Sequence, residues 1–182
     1  MKKVICNDFP KCGLHLLAKA CELLGVPVHD KVHTPYSESA FDDDVTHLFI
    51  KRDPRDALIS RIAFEGKVIT PGGIISRFRQ YEAWGVSFVD DMNQYYEWLS
   101  DPATYVIDFD VLLTDPKEIR RLADHLGAPY IQGAFELLPG DKCPTQTWMG
   151  KETYWKDHWT DDVQRVWSDE GGDQLLKDWG YA

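Results

Sequence analysis

Two cationic side chains follow apolar runs that predict β-strands. Lys11 follows the run 4–6 and precedes Gly13 at the start of a helical pattern, and Arg52 follows the run 45–50. A glycine in a strand-to-helix turn lets backbone N–H groups approach an anion, and the helix N-terminus adds a favourable dipole. Arg52 could clamp a phosphate with two hydrogen bonds, and Ser60 lies roughly two helical turns further on. This pattern favours an anion site; a solvated lysine and surface ion pairs within 52–56 are the alternative.

The elements that must position these side chains alternate along the chain. Apolar spacing predicts strands at 4–6, 45–50 and 105–107, a loop at 7–10, and helices at about 13–24, 54–64, 72–84, 88–99, 115–126 and 160–179. The alternation predicts an α/β fold with a central parallel sheet flanked by helices, in a single domain that spans residues 1–182. Ligands of such sheets bind beyond the carboxyl ends of the strands, which is where Lys11 and Arg52 lie.

The composition excludes several functions. The 182 residues carry 20 Lys+Arg against 30 Asp+Glu, so the net charge of −10 leaves no basic footprint for nucleic-acid binding. An anion site must therefore gather its positive charge locally. The four cysteines form no CxxC pair, so we expect reduced thiols, as in a cytoplasmic protein. No apolar run has the length of a signal peptide or a membrane span, so we expect no membrane association. The acidic run 42–44 could bind a cation, although consecutive carboxylates rarely converge on one ion.

These segments resemble the sulfotransferases that use 3′-phosphoadenosine 5′-phosphosulfate (PAPS). Residues 9–16 are similar to the family's first motif, Tyr/Phe-Pro-Lys-Ser-Gly-Thr-Thr-Trp, and residues 52–60 match its second motif, Arg-x-Pro-x-Asp-x-x-x-Ser, in full. Residues 109–116 are similar to the Tyr-Glu-Asp-Leu…Asp-Pro segment, and residues 125–127 to Phe-Leu-Gly. Gly150 and Trp155 keep the spacing of the C-terminal Arg-Lys-Gly-x-x-Gly-Asp-Trp. The resemblance spans nearly the whole chain and implies the P-loop nucleotide-kinase-like architecture of the sulfotransferases.

The resemblance implies a set of residues that hold the donor. Lys11 and the amides around Cys12 and Gly13 would bind the 5′-phosphosulfate beside Leu14 and His15. The remaining contacts would be Arg52 and Ser60 on the 3′-phosphate, Phe135 stacked on adenine, and a loop with Gly150 and Lys151 that closes over the 3′-phosphate. PAPS would be the cofactor, with 3′-phosphoadenosine 5′-phosphate (PAP) as its product.

The resemblance also implies the catalytic residues. His33 occupies the place of the family's general-base histidine, and an imidazole suits this role because its pKa lies near neutrality. Lys11 would stabilise charge on the leaving phosphate, and the scheme requires no metal. His15 and His47 are weaker candidates for the base, and a surface loop is the alternative reading of His33.

Departures from the family pattern leave a second hypothesis open. Leu14 and His15 replace two threonines, Leu16 replaces a tryptophan, and Trp148-Met149 replaces the Arg-Lys pair, a loss for which Lys151 could compensate. The chain is therefore either an active sulfotransferase or a catalytically silent relative that binds PAP, PAPS or a protein partner. A nucleotide kinase is disfavoured, since the Gly-rich Lys-Ser/Thr loop is missing.

The resemblance implies a small-molecule or glycan acceptor that attacks the sulfuryl group through a hydroxyl or an amine, and the sequence does not identify it further. The aromatic residues in 78–98 could line its pocket or could be plain core. The chain is short for the family, so its acceptor loops are reduced or come from the second subunit of a homodimer.

Overall fold

The computed structural model describes residues 2–38, 44–66, 68–138 and 154–182. Within these ranges the sheet has four parallel strands, β1 (Lys3–Asp8), β2 (Val28–Val32), β3 (Val45–Lys51) and β4 (Thr104–Asp108). Their order is β2-β1-β3-β4, so the two strands that precede the candidate cations are neighbours at the centre of the sheet. The predicted α/β class with a central parallel sheet is confirmed.

Helices pack on both faces of this sheet. They are α1 (Leu14–Leu23), α2 (Pro54–Phe64), α3 (Pro71–Ala83), α4 (Phe88–Asn93), α5 (Glu97–Ser100), α6 (Phe109–Thr114), α7 (Pro116–Leu126), α8 (Ala134–Leu137), α9 (Asp161–Asp169) and α10 (Gly172–Trp179). Short 3₁₀ turns occupy Tyr36–Glu38 and Tyr154–Asp157. None of the helices in the described ranges is long and apolar enough to cross a membrane.

The core has two parts, one on each face of the sheet. Strand β3 sends Leu48 and Ile50 into an aliphatic part under α1, α6 and α7, and sends Phe49 into an aromatic part. Burial on both faces explains why this strand appears in the sequence as a continuous apolar run. The aromatic residues of 78–98 that belong to the core include Phe78, Tyr95 and Trp98, so the plain-core reading of this segment applies to them.

Strand β2 has no counterpart among the predicted strands. It lies at the edge of the sheet and its residues are half-buried or exposed, so its sequence Val-His-Asp-Lys-Val carries no apolar run. Strand β1 extends through Asn7 and Asp8, which the sequence placed in a loop. Both polar side chains are buried, and both are paired with the segment that follows β2.

Two predicted helices are each divided. The segment 88–99 breaks between α4 and α5, which lets Tyr95 and Trp98 donate hydrogen bonds to the carbonyls of His33 and Thr34. The segment 160–179 breaks between α9 and α10. A side chain at Gly172 would begin 2.1 Å from the Trp167 ring, so close packing of the two helices requires glycine there.

Candidate active site

The turn after β1 has an unusual backbone. Lys11 has a φ of 82° and Gly13 a φ of 121°, and the Cys12 N–H donates to the Phe9 carbonyl at 3.0 Å. A Cβ at Gly13 would lie 2.5 Å from the Phe109 ring, so the turn is packed directly against the first residue of α6. Positive φ is costly for a residue with a side chain and is found where surrounding structure holds it in place.

Asp8 ties this turn to the loop after β2. Its carboxylate is fully buried; Oδ2 accepts the Leu14 N–H at 2.9 Å and Oδ1 lies 2.5 Å from His33 Nδ1. The N-cap of α1 is a glycine and offers no side chain, so Asp8 supplies the acceptor that the helix lacks. Two further bonds join the same segments, from Asn7 Nδ2 to the Thr34 carbonyl and from the Thr34 N–H to Asn7 Oδ1.

His33 is held at its backbone and at one ring nitrogen. The Tyr95 hydroxyl donates to the His33 carbonyl at 3.0 Å, and the side chain is 46% exposed. The hydrogen bond to the Asp8 carboxylate raises the pKa of His33, against the opposing effect of burial. Burial raises the pKa of Asp8. The hydrogen bond from His33 opposes this second shift, so the contact favours an imidazolium paired with a carboxylate.

Lys11 faces the same region but has a different partner. Its Nζ lies 3.2 Å from the centroid of the Phe64 ring at the end of α2. Partial burial lowers the pKa of Lys11, and the nearby Asp8 carboxylate opposes this shift. The ammonium is therefore held by an aromatic face, which leaves its charge available to an anion.

Arg52 leaves β3 beside the same turn. Its guanidinium lies over the Phe109 ring, 4.4 Å from the centroid, and its buried Nε has no hydrogen-bond partner among the described residues. The neighbouring Arg55 forms a bidentate pair with Asp53, and Asp53 also caps α2. Arg55 and Asp53 thus pair with each other as the alternative expects, although the pair is largely buried. Within the described part of the chain Arg52 forms no ion pair.

The acidic residue of the second motif has a structural contact. Asp56 is buried, and its Oδ1 accepts the backbone N–H of Trp155 at 2.9 Å across 99 positions of the chain. The Arg55 guanidinium lies 3.5 Å from the centroid of the Trp155 ring. This part of the motif joins α2 to the C-terminal segment, while Arg52 faces the turn after β1.

The other predicted residues are dispersed. Ser60 is half-buried on α2, His15 is exposed on α1, and Phe135 packs from α8 against the aliphatic part of the core. His47 is 6% exposed and lies beside Trp98, which fits strand packing. Gly150 and Lys151 lie outside the described residues, as do Trp148 and Met149, so their predicted contacts stay predictions.

Asp8 is the site residue that the sequence did not single out. It appeared as part of a polar loop signal, and its partner lies 25 positions away. A carboxylate at the end of a strand of apolar residues was the available signal, since a buried charge requires a partner.

In the described part of the chain, no metal-binding cluster coincides with this site, and a surface groove lies away from it. The described residues contain no group of three or more His, Cys, Asp or Glu arranged to hold a metal ion. Most of the acidic run 42–44 lies outside them. A groove of about 380 Å³ is lined by residues of α2, α3 and α4 together with the connection between α3 and α4, and Lys11, His33 and Arg52 do not line it.

Comparison with known proteins identifies the fold. No protein-family model matches the chain, and no curated protein matches it in sequence. Among solved structures, 29 chains match. One is the crystal structure of mouse sulfotransferase SULT7A1 complexed with PAP, with a TM-score of 0.69 and 13% sequence identity over 99% of this chain and 88% of that chain. At this identity the likeness establishes a sulfotransferase-like fold.

Proposed function

We propose that the protein transfers a sulfuryl group from PAPS to a hydroxyl or amine of a small-molecule or glycan acceptor. The observation that carries this proposal is the convergence at one sheet edge of the Lys11 turn, His33 bonded to a buried carboxylate, and Arg52. The fold in which they converge is like that of a sulfotransferase complexed with PAP over 99% of the chain.

The described residues fit this donor in two places. The buried Arg52 Nε lacks a hydrogen-bond partner among them, and a phosphate oxygen would supply one. The turn at Gly13 packs directly against Phe109, which fixes its backbone at the N-terminus of α1, where an anion is favoured. Arg52 and Ser60 hold the 3′-phosphate in this scheme. Lys11 holds the phosphosulfate together with those amides of the turn that are not bonded to Asp8 or Phe9.

Each residue has one task in the reaction. PAPS supplies an activated sulfuryl group on a phosphate leaving group. His33 takes the proton of the acceptor, because its exposed ring nitrogen faces away from Asp8. Lys11 neutralises charge that develops on the bridging oxygen, and fixed amides at the N-terminus of α1 act on the remaining oxygens. Positioning and electrostatics carry the step, as they do in phosphoryl transfer.

Donor binding and turnover test the proposal together. Calorimetry with PAP measures binding, and labelled sulfate from PAPS measures transfer to a panel of hydroxyl and amine acceptors. Lys11→Ala should abolish transfer and His33→Ala should strongly reduce it. Lys117→Ala and His29→Ala, on exposed positions of α7 and β2, are the matched controls. Full transfer by both site variants would contradict the assigned roles, and a failure to bind PAP would contradict the function.

A donor-binding protein without turnover is the second candidate. Leu14 is 4% exposed and brings no hydroxyl to the turn, and its N–H is already taken by Asp8. Both features reduce the hydrogen bonds available to a phosphosulfate. PAP binding without transfer to any acceptor of the panel would favour this candidate.

A further inference from the structure

We propose that Asp8 is a positioning residue that fixes the tautomer of His33, leaving Nε2 as the proton acceptor. The inference rests on the proposed function, in which His33 is the base. It starts from the division of the Asp8 carboxylate between two partners, one on α1 and one in the loop after β2.

The two oxygens of Asp8 are not interchangeable. Oδ2 faces the backbone N–H of Leu14 at 2.9 Å, and a backbone N–H can only donate. That contact requires an acceptor and fixes the orientation of the carboxyl group. Oδ1 is left for His33 Nδ1 at 2.5 Å, and the full burial of Asp8 excludes water as a substitute for either partner.

An ionised carboxylate only accepts hydrogen bonds, so neutral His33 must carry its hydrogen on Nδ1. The lone pair then resides on Nε2, which has no hydrogen-bond partner among the described residues. The position of the loop after β2 is fixed, because Asn7 forms two hydrogen bonds with the backbone of Thr34 and the Tyr95 hydroxyl donates to the His33 carbonyl. The charged and titratable groups that face His33 are Asp8 on β1, Lys11 in the turn and His15 on α1.

This arrangement also provides a place for the proton that the acceptor loses in the reaction. As the acceptor oxygen forms its bond to sulfur, the bond from sulfur to the bridging oxygen breaks and PAP leaves with that electron pair. The acceptor proton moves to His33 Nε2, and the imidazolium is then paired with Asp8. The negative charge at the N-terminus of α1 is thereby compensated at the moment when the leaving phosphate becomes more negative.

Asp8→Asn separates the positioning role from a merely structural one. The Leu14 N–H still requires the amide oxygen, so the NH₂ group must face Nδ1 and donate to it. Neutral His33 then carries its hydrogen on Nε2, which is the wrong tautomer for a base. We expect kcat to fall by roughly 10²–10⁴-fold, the range of a lost general base, with little change in KM for PAPS. Asp8→Asn should cause no further loss in a His33→Ala background.

Nitrogen-15 NMR of the ligand-free protein reads the tautomer directly. Above the pKa of the pair, wild-type His33 should be protonated on Nδ1, and Asp8→Asn should move the hydrogen to Nε2. Asp115→Asn is the matched control, because Asp115 also accepts a helix N–H, that of Lys117 at 2.9 Å, but lies on α7 away from His33. The control should leave both the tautomer and kcat unchanged.

The outcomes distinguish this inference from the proposed function. A wild-type His33 protonated on Nε2 overturns the inference even if Asp8→Asn fails to fold, and so does an Asp8→Asn variant with an unchanged tautomer or wild-type kcat. The expected tautomers in a protein that transfers no sulfuryl group would support the link between Asp8 and His33 and would count against the proposed function alone.

Discussion

Substitution of Gly13 by alanine tests whether the candidate site has the geometry described. The residue has a φ of 121°, and a Cβ would meet Phe109 Cδ2 at 2.5 Å, Phe109 Cε2 at 3.0 Å and Ile50 Cδ1 at 3.2 Å. The backbone strain of a positive φ costs about 1–2 kcal/mol, and forcing a methyl group into a packed core costs about 1–3 kcal/mol more. Gly13→Ala should therefore lower the free energy of unfolding by about 2–5 kcal/mol.

Gly25 provides a control for the backbone term. It also has a positive φ, 71°, but a Cβ there would meet nothing within 4 Å. Gly25→Ala should cost only about 1–2 kcal/mol. The larger loss in Gly13→Ala then reports the contacts with Phe109 and Ile50 together with the larger φ of Gly13. Urea unfolding followed by tryptophan fluorescence gives both values from their midpoints at constant m.

A double-mutant cycle identifies the contact. Phe109→Leu removes ring atoms that a methyl group at position 13 would meet, so it should relieve part of the Gly13→Ala loss, with a coupling of about 0.5–3 kcal/mol. Equal losses for Gly13→Ala and Gly25→Ala, with no coupling to Phe109, would refute the close approach of the turn to α6. The same result would contradict the inference that this packing fixes the turn beside the candidate anion site.

Three further predictions concern the donor, the C-terminal segment and pH. Arg52→Gln should weaken PAP binding by about 10–100-fold in calorimetry, the loss of one charged hydrogen bond, while the exposed Arg165→Gln should not. Asp56→Ala should lower the free energy of unfolding by about 1–3 kcal/mol, because it leaves the Trp155 N–H without its acceptor; an unchanged urea midpoint would contradict this role. The kcat should rise with pH through the pKa of His33, above its ordinary 6.5, because the protonated ring cannot act as a base. Folding raises that pKa, so protonation of His33 adds stability that His33→Gln loses. This added part should be complete below about pH 6.5 and vanish as pH rises through the folded-state pKa.

The elements with one-sided or continuous apolar patterns could be predicted from the sequence. Helices α1 and α7 lie close to their predicted ranges because burial of one face gives each an apolar period. Strand β3 does so because burial on both faces gives a continuous apolar run, and α2 because Pro54 marks its first turn. Strand β2 lacks such a period, since an edge strand with exposed side chains is stabilised by backbone pairing with β1. The division of 160–179 depends on the Trp167 ring packing against Gly172, a contact that helical spacing does not encode.

The residues of the candidate site also differ in whether the sequence near them reveals their role. Lys11, Gly13 and Arg52 were identifiable because strand ends and turn residues are local features of the chain. Asp8 was not, because a strand-end aspartate and a loop aspartate look alike until the partner is known, and His33 is brought to it by the pairing of β1 with β2. To predict the contact between Asp8 and His33, the register of β1 against β2 would have to be known, and β2 has no apolar pattern that reveals it.

The cations of this acidic protein are divided between two kinds of partner at the carboxyl edge of the sheet. Arg55 pairs with Asp53, and Lys51 lies 4.0 Å from Asp108, so carboxylates already offset these two charges. Lys11 and Arg52 lie instead over the rings of Phe64 and Phe109. A ring attracts a cation through its quadrupole without cancelling its charge. In a chain with a net charge of −10, this arrangement keeps positive charge available beside the turn after β1, which an anionic donor requires.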